Sequence, residues 1–267
     1  MNLKPAVLGL TAAGVATLVY GALVEANDLR VEHHTLRLQN WPKDLDGLRI
    51  ALLADFHIRD SYSAALAQRA VTAAVMEAPD YFVLAGDFVG YWKLSSPWLL
   101  EQALRPLSNF KGSVIAVPGN HDYWEGDASL LRPILEELNI VLLRNEAFKT
   151  EGISWFGLDS LNAKRAMPSL YKRQSETANI VVFHEPDGVM QLRERCDLML
   201  SGHSHGGQFT FPWGWTPMHT KNGQKYVRGF FPEAESPLFV TRGIGTTGPP
   251  SRLCCSPEVA ILTLRAA

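Results

Sequence analysis

The sequence is poor in cysteine, poor in charge, and shows no excess of either sign. Three cysteines in 267 residues are too few for a disulfide scaffold. Cys254 and Cys255 are adjacent, Cys196 stands alone, and the absence of any Cys-x-x-Cys pair excludes a structural zinc site of that type. All three read as small buried apolar residues. Lys plus Arg number 25 against 27 Asp plus Glu, a net charge of −2. That balance excludes a protein built mainly around a nucleic-acid polymer, which needs a strong basic excess. Charged residues make up 19%, below the roughly 25% of an ordinary soluble domain. There is no linker, repeat or low-complexity segment after residue 30, and with 46% apolar residues a sizeable core is expected. The chain is therefore divided into an N-terminal segment, 1–29, and one catalytic domain, 30–267.

One long apolar run accounts for part of the charge deficit. Residues 5–24 contain no charged side chain and nothing more polar than Thr11, Thr17 and Tyr20. As a helix they would extend about 30 Å, the thickness of a bilayer's hydrocarbon core. A transmembrane anchor is expected, with a cleaved secretory signal as the alternative; Val24-Glu25-Ala26 offers small residues for cleavage. Lys4 precedes the run and Glu25 and Asp28 follow it, which places the catalytic part outside the cytoplasm.

Beyond residue 30, strand and helix patterns alternate. Apolar runs at 31–38, 48–54, 81–85 and 114–117 read as strands, and 63–77, 96–110 and 131–138 as helices. This rhythm implies an α/β fold with a largely parallel sheet and helices on its face. Later runs at 140–143, 153–158, 180–183, 198–200, 238–241 and 259–264 have few helices between them and imply a second, more mixed sheet.

Five polar groups each follow directly on an apolar strand. They are Asp55-Phe56-His57, Gly86-Asp87, Gly119-Asn120-His121-Asp122, His184, and Gly202-His203-Ser204-His205. Five of the eight histidines fall in them. In open α/β sheets ligands gather at the carboxyl ends of strands, and Asp, His and Asn together suit a divalent transition metal. Residues one apart on a strand exit, such as Asp55 and His57 or His203 and His205, should point to one side and share a cleft.

In this order the five groups resemble the signature series of calcineurin-like metallophosphoesterases, over about residues 48–208. Arg242-Gly243-Ile244-Gly245, the stretch 249–257 and the N-terminal run further resemble a bacterial subgroup of membrane-associated or exported phosphodiesterases, some of them similar to enzymes of lipid A precursor hydrolysis. The resemblance implies a two-sheet sandwich flanked by helices, in four layers, with two divalent metal ions between the strand ends. Asp55, His57 and His205 would bind one metal, Asn120, His184 and His203 the other, and Asp87 both. His121 would lie over the phosphate as proton donor, oriented by Asp122. Hydroxide bridging the two metals would attack phosphorus. Mn, Fe and Zn all suit the ligand set.

The expected activity is hydrolysis of a phosphodiester near a membrane, with a phosphoester, lipid-linked in one reading, as partner and the membrane reached through residues 1–29. The alternatives are a pyrophosphatase acting on a nucleotide-linked lipid precursor, a phosphomonoesterase, or a non-catalytic metal-binding module. Aromatic residues crowd the same strand ends: Phe88, Tyr91, Trp92, Tyr123, Trp124, Phe209, Phe211, Trp213 and Trp215. They read either as a hydrophobic cluster under loops or as an apolar wall beside the metals for a lipid-linked substrate. Arg228, Arg242 and Arg252 are candidates for holding phosphate oxygens.

Overall fold

A computed structural model describes residues 4–267, without the side chains of residues 4–10, 12 and 13. Two six-stranded sheets lie face to face. The first has the order β1 (Arg30–Leu38), β12 (Glu258–Ala266), β2 (Arg49–Leu53), β3 (Tyr81–Ala85), β4 (Ser113–Val117), β5 (Ile140–Leu142). The second runs β10 (Gly229–Phe231), β11 (Leu238–Val240), β9 (Leu198–Ser201), β8 (Ala178–Val182), β7 (Ile153–Gly157), β6 (Glu146–Thr150). Only β12 with β2 is antiparallel in the first sheet, whereas β10–β11 and β6–β7 are antiparallel in the second. Strands β2, β3, β4, β8 and β9 are buried on both faces, which is why they read as unbroken apolar runs.

The core between the sheets is built from Leu52, Val83, Ile115, Trp155, Ile180 and Leu200, among others. On the outer face of the first sheet lie α2 (Ser61–Met76), α3 (Ser96–Leu104) and α4 (Leu131–Glu137). Helix α2 turns Ala64, Ala67, Ala70, Val71 and Ala74 inward at three- and four-residue spacing, so small side chains let it lie close to the sheet. It starts two residues before the expected position because Asp60 caps it: Asp60 Oδ1 accepts from Ser63 N at 2.8 Å, completing a capping box. The outer face of the second sheet is covered by 3-10 turns at Pro168–Leu170 and Pro186–Gln191 and by coil, over Phe156, Tyr171, Phe183 and Val240.

Helix α1 (Lys4–Leu23) precedes this body. Among the described residues no helix is long and apolar enough to cross a membrane, and the expected span 5–24 lies partly outside the described side chains. Those that are described from Val15 to Tyr20 are exposed. The helix end is tied to the C-terminal part of the chain. Gly21 O accepts from Arg252 N at 3.2 Å, and Leu18 O from Ser251 Oγ at 3.1 Å. A Cβ at Gly21 would stand 2.2 Å from Ser251 Oγ, so this approach requires glycine.

Candidate metal centre

The site lies where the strands of both sheets end. Asp55 and Asp87 stand two residues beyond β2 and β3, Asn120 three beyond β4, and His184 and His203 two beyond β8 and β9. The expectation that strand alternation would aim Asp55 and His57 together has the wrong cause. Asp55, His57, Asp87, His203 and His205 all have positive φ, between 45° and 70°. The left-handed region costs a residue with a Cβ on the order of 1–2 kcal/mol, so these turns persist only where their surroundings hold them. Here the loops brace one another: Asp55 N donates to Gly86 O (2.9 Å), His57 N to Asp87 O (3.0 Å), and Gly245 N to Asp55 O (2.6 Å).

Two overlapping sets of donor atoms result. Those of Asp55, His57 and His205 all lie within 4.8 Å of one another, as do those of Asp87, His184 and His203. His57 Nε2 is 3.0 Å from His205 Nε2 and 3.4 Å from Asp87 Oδ2. His184 Nε2 is 3.2 Å from the same Asp87 oxygen, so Asp87 stands between the two sets. His184 Nδ1 donates to Ala85 O (2.6 Å) and His203 Nε2 to Lys221 O (2.7 Å), leaving His184 Nε2 and His203 Nδ1, 3.2 Å apart, facing the cavity. Asn120 Oδ1 is buried and has no hydrogen-bond partner. All seven expected ligands except Asn120 are buried, and Asn120 is half-buried.

The electrostatics match an uncompensated site. Burial pushes the Asp55 carboxyl up to about 7, against the pull of His184. Burial also pushes Asp122 up to about 7, and Asp87 adds to this. Burial opposes charge on Asp87 too, but the adjacent His184 imidazole holds it well below the usual carboxylate range. His184 is correspondingly raised well above the usual imidazole value, its burial outweighed by Asp87. Burial drives His57 and His205 well below it, so both offer lone pairs. Facing imidazole nitrogens, an orphaned amide oxygen and two buried carboxylates that share a single raised imidazole, His184, fit divalent cations of borderline softness. A further group, Glu32, His34 and Glu258, also clusters, but Arg242 already engages both carboxylates: Nη2 donates to Glu32 (2.6 Å) and the backbone N to Glu258 (2.8 Å).

Two expectations need correction. Asp122 does not touch the His121 ring. Its Oδ1 accepts from Phe88 N (2.9 Å) and Val89 N (3.1 Å), and its Oδ2 from Gly119 N (2.8 Å), so it locks the loops after β3 and β4 together. The His121 ring is held instead by Gly90 O, 2.9 Å from Nδ1, and by Trp124, whose ring centroid is 3.6 Å away. The arginines do not face the site as phosphate holders. Arg252 is fully buried and donates to the carbonyls of Gly245, Cys255, Arg242 and Gly243, fastening the loops behind His205 and Asp55. Arg228 donates to Gly206 O and Gly214 O.

Seven of these aromatic residues divide into three groups. Phe88 stacks on Phe56 in the core, and Trp92 is buried with Nε1 donating to Asp122 O (2.8 Å). Tyr91 and Trp124 border the cavity in front of His57 and His121. Phe211, Trp213 and Trp215 stack on one another, exposed, away from it.

Comparison with known proteins identifies the family. Residues 48–207 match the profile of the calcineurin-like phosphoesterase family, well over half of the chain. The sequence is 30% identical to an uncharacterized metallophosphoesterase of Helicobacter pylori, over 81% of this chain and 60% of that protein, so it spans under two thirds of that relative's length. It is 24% identical to the metallophosphoesterase YkuE of Bacillus subtilis, over 96% of this chain and 94% of that one. It is 30% identical to phosphodiesterase YaeI of Escherichia coli, over 81% and 82%. The chain belongs to the calcineurin-like phosphoesterase family. The matched region is a metal-dependent phosphoester-hydrolase domain.

Proposed function

We propose that the protein is a dinuclear metal-dependent phosphodiesterase working at a membrane. The observation that carries the reading is the meeting of Asp55, His57, Asp87, Asn120, His184, His203 and His205 around one cavity, with the Asn120 oxygen unpartnered. Asp55, His57 and His205 would hold one ion, Asn120, His184 and His203 the other, and Asp87 both. When bound, such ions supply a nucleophile from water at neutral pH and offset phosphoryl charge. Gly90 O engages His121 Nδ1, which leaves Nε2 to pass a proton to the leaving oxygen. Trp124 packs over that ring and limits its motion. A non-catalytic binding module would have no use for this proton donor.

A diester is favoured over a monoester because it carries one charge and a second organic group. The cavity in front of His57 and His121 offers room and few charges: its one cation, Arg59, is engaged by Thr246. The name of the YaeI relative, a phosphodiesterase, points the same way. The membrane part of the reading rests on the apolar run 5–24, with Lys4 before it and Glu25 after it; the catalytic part then lies outside the cytoplasm.

The test is hydrolysis of bis-p-nitrophenyl phosphate against p-nitrophenyl phosphate by the full chain in detergent, stripped of metal and refilled with Mn, Zn or Fe. Metal-restored cleavage of the diester with little of the monoester is expected. Preferred cleavage of the monoester would overturn the diester reading. Cleavage of neither with two ions bound would overturn the enzyme reading.

A further inference from the structure

Two cavities of opposite character adjoin the site, and Trp124 borders both. The first, about 660 Å³, extends from His57 and His121 past Tyr91 and Leu66 to Ala22 and Leu23 at the end of α1. Its two charged residues are spoken for: Arg59 donates to Thr246, and Asp60 caps α2. The second, about 490 Å³, begins at Asn120 and is lined by Asn162, Arg165, Lys221 and Asp127. Arg165 and Lys221 are exposed and form no ion pair with a carboxylate among the described residues, while Asp127 already accepts from Ser129 N (2.8 Å). Both volumes fall in the range of ligand pockets, about 300–1,000 Å³.

From this juxtaposition we propose that the substrate is an amphiphilic phosphodiester, its alkyl chain in the α1-side cavity and an anionic headgroup in the Arg165–Lys221 cavity. This deepens the phosphodiesterase reading and rests on it. The phosphate joins the two halves of such a molecule, and the cluster of Asp, Asn and His side chains lies where the two cavities meet. Each cavity then rejects the wrong half: the anionic group would lose its water on the apolar side without finding a free cation, and the chain gains nothing among solvated side chains. The apolar cavity ends at α1, whose side chains from Val15 to Tyr20 are exposed apolar and hydroxyl-bearing groups. A long chain can therefore continue along the helix instead of ending at a wall.

The experiment uses the metal-loaded full chain and three kinds of substrate below their critical micelle concentrations. Bis-p-nitrophenyl phosphate reports the reaction class. A series of alkyl p-nitrophenyl phosphodiesters from butyl to decyl reports the apolar cavity. Burying each methylene should raise kcat/KM by at least about twofold, toward the roughly fourfold set by full burial. Ala22→Trp, which fills that cavity, should flatten the slope. Lysophospholipids with a phosphorylated or a choline headgroup report the polar cavity. Arg165→Glu with Lys221→Glu should lower the preference for the phosphorylated headgroup at least about tenfold. Cleavage of the small diester with no chain-length slope, or with no headgroup preference, would overturn this proposal and leave the phosphodiesterase reading standing. Cleavage of no diester at all would overturn both.

Discussion

Removing the metals should make the stability of this protein fall as pH rises above neutrality, and refilling the site should abolish that fall. The argument rests on the buried carboxyls. Asp55 and Asp122 are each pushed from 3.8 up to about 7 by burial. A carboxyl raised in the folded state is bound to a proton there while the unfolded chain has lost it, so its stabilising contribution is present below pH 4 and lost as pH passes through 7. His184 is raised as well, by Asp87 against burial, and contributes in the same direction above the ordinary imidazole value near 6.5. His57, His203 and His205 are lowered, chiefly by burial, and act in the opposite direction, an effect that fades only about one pH unit above 6.5. The fall is read across pH 6.5–8, where the two carboxyls and His184 together outweigh the three lowered histidines. Across it the two carboxyls lose about 0.8 kcal/mol each, from the integrated linkage relation, and His184 adds to that. Bound divalent ions favour the ionised carboxylates and remove the penalty. Urea unfolding of chelator-treated and metal-refilled protein at intervals across the window measures both slopes. A flat curve for the chelated protein, or parallel curves for the two, would refute the reasoning.

Other perturbations address single residues. Asp87→Asn should lose bound metal and activity together, read by elemental analysis beside turnover, because an amide offers one oxygen where the site needs two. His121→Ala should keep its metal content and lose about 10²–10⁴ in kcat, the usual range for a proton-transferring group. Gly119→Ala should behave like Asp87→Asn, since its Cβ would stand 2.2 Å from Asp87 Oδ1 and 2.4 Å from Asp87 N. Arg252→Lys should lower stability by about 3 kcal/mol in urea titration, because an ammonium cannot span the carbonyls that the buried guanidinium bridges.

The central strands were legible in the sequence because burial on both faces leaves them as apolar runs bounded by Gly and Asp. Strands β6 and β10 were not. Each is a short edge strand, and Glu146 and Lys149 in β6 face solvent, so no run stands out. The gathering of Asp, Asn and His at five strand ends was legible too, since chemistry concentrated there leaves a strong compositional mark. The means of gathering were hidden: five residues in left-handed turns carry no pattern that distinguishes them from an ordinary strand exit. The aromatic residues were grouped by sequence proximity, yet Trp92, one residue after Tyr91, turns into the core to hold Asp122 O while Tyr91 borders the cavity. Arg252 sits 197 residues from Asp55, and only the fold shows that its donors fasten the backbone behind it.

The placement of β12 has a consequence for biosynthesis. Residues 258–266 lie between β1 and β2, pairing with residues 30–38 on one side and 49–52 on the other. Until they leave the ribosome, β1 has no neighbour in its sheet and β2 has one open edge. The first sheet therefore closes only once residue 266 has been made, by insertion of a strand that follows β2 by more than 200 residues. If α1 is by then held in a bilayer, the emerging chain must keep the exposed edges of β1 and β2 from pairing with other chains until β12 emerges. Loss of β12 would release β1, the segment that joins the catalytic body to α1.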